Sequence, residues 1–392
     1  MRKLFKIPLA FLFIASCIGL FLRYQVISPV DGVGYAYVLH AHSHVMFLGW
    51  VFNVLILAFT TEFAEVKRFK TLFWFLQFCV LGMLISFPLQ GYGLFSITFS
   101  TLHTFTALAF IVQFFRATKI RATSALTLAK AALLYFALSS IGPFILAYLK
   151  ANALDHLNVY RNSIYFYLHF QYNGFFLFGV LSLFLKLAEE SMSKKEGQKV
   201  TRAAYILIAC CVPAYFLSIL WSRPAMVFNI IAFAAAFAQL VALVIFTKPI
   251  NKFLTTAQVN RHEKLLFVLS FSSLVLKSIL QLMSAHPSLA LFANEFRSIV
   301  IAYLHLVLLG GITFFLIAWL GRKRVIDLGS TWKIGFILAG FIASEIMLVI
   351  APWNDTVFHI PVRVFGHLLF FFSVLLVFGI GSFALSKIQV NK

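Results

Sequence analysis

The sequence predicts an all-α membrane bundle of about twelve transmembrane helices, with both termini cytoplasmic. Three observations predict it. Of 392 residues, 62% are hydrophobic and only 11% charged, a balance foreign to soluble domains. Apolar runs of about 20 residues recur from end to end, the length at which a helix crosses a bilayer core. Helices suit that solvent because they satisfy their own backbone hydrogen bonds in lipid. The third observation is a regular alternation of basic residues between the two sets of helix ends.

In chain order, hydropathy places the spans at 5–23, 38–60, 71–88, 92–115, 128–149, 163–188, 202–221, 224–247, 264–284, 297–320, 332–351 and 364–386, with ends good to a few residues. The first span, opened by Met1-Arg2-Lys3, also has the outline of a signal peptide. Its apolar run continues past Cys17 to Leu22 without a polar break, which predicts a retained helix. Pro88, Gly91 and Gly93 mark a tight turn between the third and fourth spans, and Ser222-Arg223-Pro224 another between the seventh and eighth.

Twenty-five of the 32 lysines and arginines fall at one set of ends, from Arg2, Lys3 and Lys6 through Arg121 to Lys387 and Lys392. Six fall at the other (Arg23, Lys150, Arg161, Arg223, Arg297 and Arg363), and Lys277 lies within a helix. The positive-inside rule makes the basic-rich ends cytoplasmic, and points to a multi-pass protein of the bacterial inner membrane. The net charge of +20 is thereby explained by topology, with lipid as the partner and no nucleic acid implied. Cys17, Cys79, Cys210 and Cys211 all sit in apolar runs, so no disulfide framework is expected. Residues 1–392 read as a single integral membrane domain with no evident internal repeat, and so without the paired halves usual in transporters.

Ionisable groups inside a membrane are costly and mark function by default. His40, His42 and His44 open helix 2; His169, His305 and His367 lie in the outer parts of helices 6, 10 and 12; His103 lies near the middle of helix 4. Five helices thus present imidazole between the outer surface and the midplane. His40 and His44 share a helical face, and His42 points to the opposite side. Neutral imidazole is a common metal ligand, and facing histidines hold haem in helical bundles. The plainer alternative for each histidine is an interhelical hydrogen bond, but five at matching depth favour a shared site. Lys277 and Glu345, both in the outer half, are expected to form an ion pair. Arg363, Arg297 and Arg161 stand at outer helix mouths, where a guanidinium either pairs with cofactor carboxylates or snorkels to the interface.

These features resemble the catalytic subunit of haem–copper oxidases and nitric oxide reductases, a family of twelve helices with cytoplasmic termini and haems held in the outer half. His42-Ser43-His44-Val45-Met46-Phe47 resembles its His-x-x-x-Met, which carries a low-spin haem ligand onto His42. His169-Phe170-Gln171-Tyr172-Asn173-Gly174 resembles the reductases' His-Leu-Trp-Val-Glu-Gly, whose histidine binds the non-haem metal. His305 stands where the family has haem ligands on helix 10, and Arg363 where its arginines meet haem propionates. The opening motif is also similar to that of NnrS-type membrane haem–copper proteins, linked to nitric oxide stress. Helix 7 lacks the family's His-His pair, Tyr303 fills one histidine position of helix 10, and Asn173 replaces the reductases' glutamate. The resemblance therefore does not carry over an intact binuclear centre.

The expectation is a membrane haem protein handling electrons, nitric oxide or oxygen, an oxidoreductase if it is an enzyme. One or two b-type haems would be held by the helix 2 histidines, His305 and Arg363. His169, His103 and His367 would line a second site for haem, copper or non-haem iron. Without a Cys-x-x-Cys-His motif, electrons would come from quinol or a separate donor protein. The competing expectation is a histidine-lined transporter or metal permease without haem.

Overall fold

The structure is a computed structural model describing residues 1–119 and 123–385. Arg121, Lys387 and Lys392 of the charge count lie outside the described residues, as does the end of the last expected span. All regular elements among the described residues are helical. Twelve are long and apolar enough to cross a membrane: α1 (Arg2–Ile27), α2 (Tyr35–Glu62), α3 (Phe69–Gln90), α4 (Leu94–Ala117), α5 (Ser124–Ala151), α6 (Asn158–Ser191), α7 (Lys194–Ser222), α8 (Met226–Thr256), α9 (Arg261–Met283), α10 (Arg297–Arg322), α11 (Thr331–Phe358) and α12 (Val362–Ala384).

Several helices outrun their apolar cores because their ends are capped. Thr123 accepts a hydrogen bond from the Leu126 amide at the start of α5. Ser193 and Glu196 form a reciprocal capping box that opens α7 eight residues before its apolar stretch. Glu196 also reaches Lys248 at 3.2 Å and Lys252 at 3.4 Å, joining the ends of α7 and α8. The turn between α3 and α4 is made by Gly91 in the left-handed region (φ 58°). A short helix, Pro287–Glu295, lies between α9 and α10; its nine residues are too few for hydropathy to single out.

The chain divides into two compact units. The first comprises α1 to α4, α11, α12 and the end segments 261–266 and 316–322 of α9 and α10. Its interior helix is α2, 89% buried along its apolar window against 44% or less for the unit's other complete spans. The second comprises α5 to α8 and the remainder of α9 and α10, with α6 interior at 94%. Lipid tails are as apolar as leucine, so close backbone approach and polar contacts matter more than hydrophobic burial. In the first unit, a Cβ at Gly340 would stand 2.4 Å from the Leu376 amide nitrogen and one at Gly379 2.7 Å from that of Ile337, so small residues set the α11–α12 crossing.

Three spans change winding at their centres. Val45–Phe52 in α2, Phe170–Phe176 in α6 and Leu306–Thr313 in α10 are π-helical, and each follows directly on a histidine: His44, His169 and His305. A glycine stands five residues beyond each histidine, at Gly49, Gly174 and Gly310. The chain therefore carries a threefold His-x-x-x-x-Gly repeat at intervals of four helices, against the expectation that no repeat is present. It is invisible to hydropathy because the four residues between histidine and glycine differ in each copy, apolar in α2 and α10 but carrying Gln171 and Asn173 in α6. π-turns inside α-helices are rare and concentrate at functional sites.

Candidate cofactor site

In the first unit, α2 presents its histidines to two sides, as helical spacing requires. His42 faces α1, where its Nδ1–H donates to the Ala15 carbonyl at 2.8 Å. The ring lies over Gly19, where a Cβ would be 2.9 Å from the imidazole Cε1. His40 and His44 face α3 and the α3–α4 turn. The His44 ring is 4.2 Å from that of Phe87, and the His40 ring 4.5 Å from that of Tyr92. His44 Nδ1–H donates to the His40 carbonyl at 2.9 Å. A neutral imidazole that donates from Nδ1 keeps its lone pair on Nε2, the tautomer in which a backbone carbonyl orients a metal-binding histidine.

His103 of α4 is the most unusual histidine of this unit. It is 0% exposed, and neither ring nitrogen has a hydrogen-bond partner among the described residues. An unsatisfied buried polar group costs about 1–3 kcal/mol, so such a residue calls for an explanation. Its ring meets Phe52 edge-on at 5.0 Å, and His44 is its electrostatic neighbour. Below the histidines, the buried Asn53 and Gln77 amides bond reciprocally at 3.0 and 3.1 Å. Asn53 also donates to the carbonyl of Gly49, inside the π-helical stretch, at 2.9 Å.

In the second unit, His169 is fully engaged by protein. Its Nε2–H donates to the Cys211 carbonyl at 2.9 Å, and its Nδ1 accepts from the Asn173 amide at 3.1 Å. Gln171 donates to Ser139 of α5 at 2.9 Å. The polar stripe of α6 thus binds α5 and α7, partners that hydropathy and motif spacing gave no means of naming. His305 is half-buried at the start of the α10 π-stretch. Tyr303 and Tyr172 meet edge to face at 6.3 Å.

His367, in the first unit, is exposed and donates from Nδ1 to the carbonyl of Arg363, itself exposed. Among the described residues no three His, Cys, Asp or Glu side chains converge as a metal site; His169 belongs to the second unit, and His103 and His367 to the first. The Lys277–Glu345 ion pair was expected between residues that fall in different units. Lys277, in the second unit, has no ion pair among the described residues, whereas Glu345, in the first, has Arg23 as its charged neighbour. Proximity in depth was the only basis for that pairing, and depth does not say which faces two helices turn to each other. All four cysteines are free.

No protein-family profile matches this chain, and no curated protein matches it.

Proposed function

We propose that this multi-pass membrane protein is a haem b protein of a bacterial inner membrane, in electron transfer or the handling of nitric oxide or oxygen, with iron ligands on α2 and α4. The observation that carries the reading is His103, wholly buried with both ring nitrogens unpartnered among the described residues. His44 supplies a second imidazole whose tautomer is fixed by the His40 carbonyl. Two neutral imidazoles beside the aromatic rings of Phe52, Phe87 and Tyr92 are a donor set that suits haem. Bound haem supplies one-electron chemistry. The protein's part is to hold the imidazoles neutral, orient them and exclude water from the α2–α4 interface.

This reading keeps the haem implied by the family resemblance, selects His44 among the helix 2 histidines, and puts His103 in place of His305. His42 lies over Gly19 of α1, on the other side of α2 from His44, and serves better as a brace between those two helices. An electron donor, quinol or protein, belongs to the same proposal.

The test is optical. Protein purified from haem-replete cells is expected to show a Soret band with α and β bands on reduction. His103→Ala and His44→Ala should each remove or shift them, while His367→Ala, altering an exposed ring, should leave the spectrum unchanged. A colourless wild-type preparation sinks the proposal. A coloured protein whose spectrum is indifferent to both His103→Ala and His44→Ala sinks the ligand assignment.

A further inference from the structure

The second unit contains a buried lysine without a counter-charge among the described residues. Lys277 of α9 is 2% exposed and makes neither a hydrogen bond nor an ion pair among the described residues. One helical turn to either side stand Ser273 (9%) and Gln281 (7%), equally without hydrogen-bond partners among those residues. Spacing of four puts all three on one face of α9, over a rise of about 12 Å.

Lysine, serine and glutamine have little reason to share a dry helical face. A buried ammonium is tolerated in a membrane mainly where it meets a partner or a water-filled cavity. Here the titratable groups near Lys277 are His169 on α6 and Cys211 on α7. His169 has both nitrogens committed, and neither group offers an opposing carboxylate. All three stripe residues keep a small residual exposure, whereas Ser270, one turn deeper, has none. Ser270 instead donates its hydroxyl to the carbonyl of Gly311, within the π-helical stretch of α10. The stripe therefore runs from the basic-poor, outer end of α9 down to a backbone carbonyl whose helix has left regular α winding.

We infer that this face of α9 is a hydrated half-channel that brings protons from the outer side, past Gln281, to Lys277 and Ser273, ending at the π-turn of α10. Lys277 is its proton-exchanging station: the amine accepts a proton from water on the outer side and returns it to water, with no bond to carbon made or broken. The inference stands apart from the haem proposal, since every residue in it belongs to the second unit.

Two measurements on the full-length protein test it. In sealed vesicles of known orientation, Gln281→Cys and Ser273→Cys should react with a small membrane-impermeant methanethiosulfonate from the outer side at least tenfold faster than Leu274→Cys, a buried position off the stripe. At Ser273→Cys the anionic reagent should outpace the cationic one, and Lys277→Met should abolish that preference. In nanodiscs in D2O, the amides of residues 306–313 should exchange more slowly when Ser273→Leu blocks the stripe, while Leu276→Phe on the exposed face changes nothing. Stripe cysteines no more reactive than Leu274→Cys overturn the inference. So does labelling without charge preference, or α10 exchange insensitive to Ser273→Leu. Lys277→Arg, which keeps the charge, serves where Lys277→Met fails to fold, and should retain the preference.

Discussion

His42 and Ala15 are joined across α2 and α1 by a single hydrogen bond of 2.8 Å, made possible because residue 19 has no side chain. The arrangement couples a polar contact to a steric one: the imidazole reaches the α1 backbone only by lying over Gly19. It also explains why motif likeness and helical geometry point to different histidines. The motif selects His42, which faces α1, while His40 and His44 face the aromatic pocket of α3 and the turn after it.

Enlarging residue 19 should therefore drive His42 out. Gly19→Val places branched carbon where the ring stands and is expected to cost about 1–3 kcal/mol, the usual range for overpacking. Thermal unfolding in detergent, followed by dichroism, reads this directly. Gly19→Val as stable as wild type would show that the His42–α1 contact is dispensable.

The Asn53–Gln77 amide pair offers a second measurement. Each side chain also bonds a backbone carbonyl, Asn53 to Gly49 and Gln77 to Phe73, so truncating one leaves buried polar atoms on the other. Asn53→Leu or Gln77→Leu alone should destabilise by about 1–3 kcal/mol. The double variant should cost less than the sum of the two, by about 0.6 kcal/mol or more, the scale of interhelical hydrogen bonds in membranes. A strictly additive double-mutant cycle would contradict the reciprocal geometry.

His169 separates structural histidines from the proposed ligands. Its two hydrogen bonds join α6 to the α7 backbone and to Asn173. His169→Ala is expected to lower thermal stability without altering the haem spectrum, whereas His103→Ala should alter the spectrum. Loss of colour in purified, folded His169→Ala protein would move the cofactor to the second unit.

Much of this was legible in the sequence, for identifiable reasons. Span number and type follow from runs of apolar residues, because lipid enforces helical backbone wherever the chain crosses it. The two-sided display of His40 and His44 against His42 follows from helical periodicity alone. What escaped were relations between helices. That His169 meets Cys211, or that Asn53 meets Gln77, depends on which faces neighbouring helices turn to one another, and equal depth leaves that open. For Lys277 and Glu345, similar depth suggested a pair; the two fall in different units, and Glu345 has Arg23 as its charged neighbour. The His-x-x-x-x-Gly repeat was present in the letters, but nothing in composition distinguished it until the winding changed after His44, His169 and His305.

The glycines of that repeat yield a ranked prediction. A Cβ at Gly174 would lie 2.6 Å from the Cβ of Tyr135. Tyr135 has little freedom to retreat, because its hydroxyl donates to the Ile208 carbonyl at 2.6 Å and its ring stacks on Phe170 at 5.5 Å. At Gly49 the nearest atoms are ring and methyl carbons of Phe11 and Val80, at 2.9 and 3.1 Å, with less overlap to relieve. Gly335, in α11, has nothing within 4 Å of an added Cβ. There Gly→Ala should gain from helix propensity alone, up to about 1 kcal/mol. The expected order of stability is Gly335→Ala at or above wild type, then Gly49→Ala, then Gly174→Ala lowest, by about 1–3 kcal/mol for overpacking. Thermal denaturation of the three single variants gives the order directly. Gly174→Ala matching Gly335→Ala would mean that the α5–α6 contact at Tyr135 is slack, and that the glycine within the π-helical stretch is not there for close approach.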